Sequence, residues 1–198
     1  EICACLVGSE MCIRDREYTV NYKKTHSQTL LPMLDEISNM TELDLSTIDA
    51  IAVAGGPGSF TGLRIGSATA KGLGLALEKP LISIPTTAAI AYNIWDTNKF
   101  VCPIMDARRN QVYTGVYCYT DHRLDTVWEQ DTMSIEALAE GLNCLDHEVI
   151  FLGDGVAVYR EKLEALLTIP FSFAPAHVNR QRAAAVGACL LYTSPSPR

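Results

Sequence analysis

The residues with the most chemical potential are Gly55-Gly56-Pro57-Gly58-Ser59, a turn set between an apolar run and a helical pattern. Glycines at the head of a helix bare backbone N–H groups, which can gather around an anion because a helix N-terminus carries unpaired donors and partial positive charge. The turn fits neither common phosphate fingerprint. No Gly-Lys-Ser/Thr opens the helix, and Gly56, Gly58 and Gly62 have the wrong spacing for a dinucleotide site. Two readings stand: a nucleotide contact through Gly56, Gly58 and Ser59, or a tight strand-to-helix connection. Asp106, Arg108 and Arg109 follow another apolar run and either face a cleft between lobes or form a solvated hairpin turn. Ser59 has no Gly-x-Ser-x-Gly context and no evident Asp/His partners, which argues against a serine nucleophile. His26, His122, His147 and His177 form no pair four apart, so the metalloprotease pattern is missing. Cys102, Cys118 and Cys144 show no metal-ligand spacing, nor do Cys3 and Cys5 near the start. No metal site and no catalytic residue are assigned.

These groups need elements to hold them. Ile48 to Ala54 reads as a buried strand, and a helix follows the turn, entered through Ser59 or Thr61 and ending before Pro80. Within it Gly62, Gly66, Ala70 and Gly74 recur every fourth residue, a ridge of small side chains that lets another backbone come close. Glycine costs roughly 1 kcal/mol in a helix interior relative to alanine, so the ridge needs a packing reason. A helix–helix contact supplies one; packing onto the domain's own sheet supplies the other, and the spacing does not choose between them. Arg64 and Lys71 interrupt the run, and it falls short of the ~20 apolar residues of a membrane span.

Upstream, Tyr18 to Tyr22 alternates like a strand, and Thr25 to Met40 places Leu30, Leu31, Leu34 and Ile37 on one helical side, with Thr25 or Ser27 as cap and Pro32 in the first turn or at a bend. Downstream the pattern predicts a strand at Leu81 to Pro85 and a helix from Thr86 to Trp95, capped by Thr86 or Thr87. Strands follow over Phe100 to Asp106 and Gln111 to Thr120, paired across Ala107-Arg108-Arg109-Asn110, with a weak extension at Val127 to Gln130. Then come a helix over Ser134 to Leu142, a strand over Glu148 to Leu152, a helix over Ala157 to Leu167, a short strand at Phe171 to Pro175 and a last helix from Arg180. Alternating strands and helices predict an α/β domain with parallel segments. No internal repeat stands out.

The run GGPGSFTGLRIGSATAKGLGLAL, with THSQTLLPMLDEI before it and PIMDARRNQVYTGVY after it, resembles the bacterial TsaB family, also called YeaZ. The resemblance extends from Glu17 to Ala188 and implies an actin-like, sugar-kinase-like α/β fold with two ribonuclease H-like lobes. It implies a cytoplasmic, non-catalytic subunit that binds the related catalytic protein TsaD as a heterodimer, works with the ATPase TsaE, and forms a homodimer when alone. That system attaches a threonylcarbamoyl group to the adenosine beside the anticodon of tRNAs reading ANN codons, and tRNA would be reached only through the complex. The partner surface would be Leu30, Leu31, Met33 and Leu34 with Gly62, Gly66, Ala70 and Gly74. ATP or ADP is expected at the complex, and on this chain Gly56, Gly58 and Ser59 would form a degenerate nucleotide site. Kinase-like relatives set a glycine-rich turn against adenosine where Gly153-Asp154-Gly155 stands here; Asp154 would repel a phosphate but can accept from a ribose hydroxyl, and a tight turn with an Asx-type bond is the other reading. His26 invites comparison with the iron-binding histidine pair of the catalytic subunit, but Leu30 stands four residues on. The alternative activity is an ATP-dependent kinase or acyltransferase of the same superfamily, which needs a phosphate loop and Mg²⁺ carboxylates. The older M22 glycoprotease label of the superfamily finds no residues to support it.

Leu6 to Arg16 and Cys189 to Arg198 resemble translations of the two complementary strands of one transposon sequencing adapter, so both are set aside as a scar would be. The expected organisation is then residues 1–16 doubtful, 17–97 a first lobe carrying the dimerization helices, 98–188 a second lobe, and 189–198 an artefactual tail, the fold being truncated at both ends. The net charge of −7 becomes −8, because Glu10, Arg14, Asp15 and Arg16 cancel and only Arg198 is lost. An acidic chain is a poor stand-alone binder of nucleic acid, whose sequence-independent affinity rests on clustered Lys and Arg.

Overall fold

A computed structural model describes residues 2–6, 16–20 and 26–193. The chain divides into two compact units, Glu1–Thr86 together with Gln181–Arg198, and Thr87–Arg180.

In the first unit β1 (Ile2–Leu6) pairs antiparallel with β2 (Arg16–Val20), and β3 (Ile51–Ala54) pairs parallel with β4 (Leu81–Ile84). Helices α1 (His26–Thr41) and α2 (Phe60–Leu77) lie between them in sequence. Leu6 and Arg16, the two ends of the N-terminal stretch set aside on sequence grounds, thus lie in this strand pair, together with Ile2–Cys5 of the doubtful residues 1–16. The strand β3 is shorter than expected because Asp44 accepts from the Ser46 N–H and folds Leu45–Thr47 into a 3-10 turn, from which Ile48 has not yet emerged. Ser59 caps α2 by accepting from the Gly62 N–H, and Glu78 closes it in the left-handed conformation, the Lys79 N–H bonding the Gly74 carbonyl. Pro32 lies in the body of α1 rather than its first turn. The expected caps of α1 at Thr25 or Ser27 lie outside the described side chains.

The second unit opens on α3 (Thr86–Ala91), shorter than the predicted span because the backbone leaves the helix in turns at Tyr92–Ile94. Neither threonine acts as its cap: the Thr87 hydroxyl bonds Tyr117 and Gln130, and the Thr86 hydroxyl has no hydrogen-bond partner among the described residues. A five-stranded sheet of order β7-β6-β5-β8-β9 follows, built from β5 (Phe100–Arg108), β6 (Gln111–Thr120), β7 (Arg123–Ser134), β8 (Val149–Leu152) and β9 (Phe171–Phe173). The first three form an antiparallel meander; β8 and β9 join in parallel through α4 (Ile135–Asn143) and α5 (Val156–Leu166). Ser134 caps α4 by accepting from the Ala137 N–H. The core gathers Val112, Val116, Leu138, Leu142, Phe151 and Leu163 between sheet and helices. The weakly predicted extension at Val127 proves to be a strand of 12 residues whose alternation is broken by register shifts around Val116.

Each unit repeats one order: antiparallel strands, a helix, a parallel strand, a glycine turn, a second helix, and a parallel strand beside the first. The register sets Ile51 opposite Leu81 and Val149 opposite Phe171. In both units a proline carbonyl one residue before the last strand accepts from the facing strand, Pro80 from Ile51 at 2.9 Å and Pro170 from Val149 at 3.1 Å. Pro80 and Pro85 bracket β4 just as Pro170 and Pro175 bracket β9. The last helix, α6 (Ala183–Thr193), belongs to the first unit, where the Glu17 carboxylate takes hydrogen bonds from the Arg182 guanidinium at 2.8 and 3.1 Å and from the Ala184 N–H at 3.3 Å. Its residues Cys189–Thr193, placed in an artefactual tail from the sequence, continue the helix that Ala183 begins.

Candidate functional site

The glycine turn is held from both sides. The Gly55 N–H donates to the Ile84 carbonyl at 2.8 Å, and the Gly56 carbonyl accepts from the Thr86 N–H at 2.8 Å. Gly56 has φ +113°, a backbone that needs glycine, and is followed by a cis peptide at Pro57. Added Cβ atoms at Gly56 or Gly58 would touch only Leu63, so the turn curls over the first turn of α2. Ser59 spends its hydroxyl on the cap, at a long 3.5 Å.

The ridge divides. An i+4 row advances about 40° around the axis at each step, since a turn holds 3.6 residues. Gly62 to Gly74 therefore sweeps about 120° rather than staying on one line. Ala70 and Gly74 are buried, and a Cβ at Gly74 would lie 3.0 Å from Leu81 and 3.1 Å from the Lys79 carbonyl, which is packing onto the unit's own sheet. Gly66 and Gly72 differ: a Cβ there would meet no described atom within 4 Å. Gly62 faces only its own cap residue.

On α1 the four leucine and methionine positions also separate. Leu30 and Met33 are buried with Ile37 in a small core that takes in Leu34 and Ile65 of α2. Leu31 is exposed, as is Met40. Across α2, Phe60 and Leu75 are exposed at 69% and 84%, with the Arg64 guanidinium 4.1 Å above the Phe60 ring. Phe60 and Leu75 are not singled out by the sequence pattern: Leu75 lies about 140° from the buried Ala70 on the wheel, and Phe60, the first residue of α2, is exposed although it lies only about 40° from Gly74. The exposed surface of α1 thus carries Leu31 with the carboxylates Asp35 and Glu36, and that of α2 carries Phe60, Leu75 and Gly72 with the cations Arg64 and Lys71.

The second glycine turn is tighter. Cβ atoms at Gly153 and Gly155 would stand 2.2 and 2.9 Å from the Ile104 carbonyl, to which the Gly155 N–H donates at 3.0 Å. Asp154 accepts from the Asp106 N–H at 3.2 Å, so that oxygen ties β5 to the turn. Asp106 in turn accepts from the Arg108 N–H at 2.9 Å and from the Tyr159 hydroxyl at 3.0 Å. Burial and the neighbouring carboxylate push the Tyr159 phenol above its ordinary range, which keeps it a donor. Arg108, Arg109 and Asn110 are consecutive left-handed residues at the hairpin tip, with φ of 65°, 52° and 63°. Asn110 donates to Glu136 at 2.7 and 3.0 Å, and Lys162 reaches both Asn110 and Glu136. The Asn110 amide, ahead of other causes, holds the Glu136 carboxyl below its ordinary value. His26 has no described side chain, and among the described residues no three His, Cys, Asp or Glu side chains are grouped to hold a metal. No helix among them is long and apolar enough to cross a membrane.

Comparison with known proteins places this geometry. Residues 18–191 match the family model described as TsaD: tRNA N6-adenosine threonylcarbamoyltransferase. The tRNA threonylcarbamoyladenosine biosynthesis protein TsaB of Bacillus subtilis is 34% identical over 151 residues, covering 76% of this chain and 66% of that protein. TsaB of Escherichia coli is 33% identical over 138 residues, covering 67% of this chain and 58% of its own length. The chain therefore spans somewhat less than two-thirds of these relatives. The solved structure of YeaZ from Pseudomonas aeruginosa superposes with a TM-score of 0.79 at 23% identity, over 96% of this chain and 85% of that one. A second Pseudomonas aeruginosa structure, described as similar to peptidase YEAZ, gives 0.81 at 23% identity with the same coverage. The fold is accordingly the actin-like α/β fold of YeaZ, as the sequence resemblance implied. The chain belongs to the family of the tRNA N6-adenosine threonylcarbamoyltransferase TsaD, and its resemblance within that family is to TsaB, or YeaZ.

Proposed function

We propose that this chain is the non-catalytic docking subunit of the system that places threonylcarbamoyl on the adenosine beside the anticodon of ANN-reading tRNAs, with the α1 and α2 surface receiving a TsaD-like catalytic subunit. The observation that carries the reading is the exposed face of α2, where the large apolar side chains of Phe60 and Leu75 stay in water and share about a third of the helix circumference with Gly72, above which a close helix would meet no described atom. Contacts of this kind, aromatic and aliphatic anchors around small residues, match the cores of protein interfaces. The TsaB relatives carry the same biosynthetic role in their names. At the other turn the carboxylates of Asp106 and Asp154 are engaged in holding β5, β6 and α5 together, which favours a scaffold over a Mg²⁺ site.

In this reading a TsaE-like ATPase joins the pair, nucleotide is used at the complex, and without the partner two copies associate through the same face. The test is Gly66→Leu. Because a Cβ at Gly66, a half-buried member of the expected ridge, meets no described atom within 4 Å, the variant keeps the wild-type melting curve but no longer co-elutes with the TsaD-like partner. Co-elution retained alongside normal melting rejects the role.

A further inference from the structure

The hairpin between β5 and β6 ends in two arginines whose turn is braced by the hydrogen bonds of its flanking residues while their guanidinium groups are left open. Arg108 and Arg109 are both exposed, and among the described residues neither guanidinium has an ion-pair or hydrogen-bond partner. Around them the tip is tied down: Asp106 takes the Arg108 N–H and the Tyr159 hydroxyl, Asp154 takes the Asp106 N–H, and Glu136 with Lys162 holds Asn110. Three successive non-glycine residues sit in the left-handed region, a conformation that persists only where surrounding bonds over-determine it. A chain of net charge −7 therefore spends a strained, braced turn on presenting two adjacent cations to solvent. Glycine at either position would relieve the backbone and lose the charge. Arginine's planar fork suits the oxygens of a phosphate, and a rigid tip loses little freedom when one binds.

We propose that Arg108 and Arg109 form a basic prong that contacts phosphodiester oxygens of the RNA substrate once the subunit is in its complex. This rests on the docking role proposed above, which supplies the RNA; the prong adds two phosphate contacts to a surface carried mainly by the partner. It is a positioning contact and takes no part in bond making. The observations favour RNA over an acidic protein because the two guanidinium groups are neighbours on one turn flanked by the small Ala107 and the polar Asn110, neither of which gives a protein partner a large apolar anchor, whereas consecutive phosphates need only charge and geometry.

Two measurements test it on full-length chains. In the first, the isolated subunit is titrated at low salt with an anticodon stem-loop RNA while the Arg108 and Arg109 side-chain Nε–H signals are followed by NMR. Shifts that are confined to the tip and vanish at high salt are expected. No shift, or a stronger response to ATP than to RNA, overturns the proposal. In the second, the complex carrying Arg108→Gln with Arg109→Gln is compared with wild type. Partner co-elution should be unchanged, while the slope of log affinity for tRNA against log salt falls by about 1 to 2, as loss of one or two phosphate contacts requires. Arg108→Lys with Arg109→Lys should keep the slope. An unaltered slope in the glutamine pair, or loss of partner co-elution in it, overturns the prong as an RNA contact. Failure of the wild-type subunit to co-elute sinks the docking role, whereas the NMR titration still decides the prong.

Discussion

Glycines here fall into two sorts that a sequence cannot tell apart. Gly153 has φ +106° and would drive a Cβ to 2.2 Å from the Ile104 carbonyl, a backbone atom that cannot step aside. Gly153→Ala should therefore destabilise the protein by at least about 2 kcal/mol, read as a lower urea midpoint with little change in slope. Gly72 is helical, exposed and open, so Gly72→Ala should raise stability by about 0.5–1 kcal/mol through helix propensity alone. The opposite signs are the check. Among thiols the contrast is as sharp. Burial pushes Cys102 up to about 12, outweighing its contact with Thr114, whereas Cys144 lies exposed. In the native state at pH 8, Cys144 should react with iodoacetamide and Cys102 should stay unmodified until the protein unfolds; mass mapping distinguishes them.

At the scale of elements, α2 shows what the chain spelled out and what it did not. Its cap at Ser59, its end near Pro80 and its position between two parallel strands all follow from apolar runs, a turn and a helical spacing that agree locally. The division of its ridge was not legible, because i+4 spacing describes a winding row and cannot say which neighbour lies under each step. Leu30 and Met33 read as surface contacts and are core, since α1 needs an apolar side to sit against Ile65. β7 was nearly invisible because it is a bulged edge strand exposed over most of its length, so little burial is left to impose alternation. The prolines that bracket two strands, Pro80 with Pro85 and Pro170 with Pro175, gain meaning as a mark of the internal repeat only once the two units are laid side by side. For α6 the geometry yields a prediction: the Glu17 carboxylate ties its first turn to β2, so Glu17→Ala should speed amide exchange in Ala183–Thr193 while leaving α4 and α5 protected. Uniform exchange across all three helices would mean that this contact does not set the docking of α6.

For the molecule as a whole, charge decides what it can do alone. A net charge of −7 and a pI near 5.1 work against a polyanion, because binding by counterion release scales with the phosphates that Lys and Arg neutralise. Two arginines at one hairpin cannot offset that at physiological ionic strength, yet they can add to a surface supplied by another protein. The prediction is an asymmetry. In ~0.15 M salt the isolated chain should leave a tRNA band unshifted at micromolar concentration, whereas the chain with its TsaD-like partner should shift it, with a salt slope steeper than two contacts explain. Removing the α2 anchors by Phe60→Asp with Leu75→Asp should abolish the shift without touching the hairpin, since both side chains are exposed and contribute little to the monomer's stability. A free chain that shifted tRNA at those concentrations would put the main RNA surface on this polypeptide, and the docking face would then need another purpose.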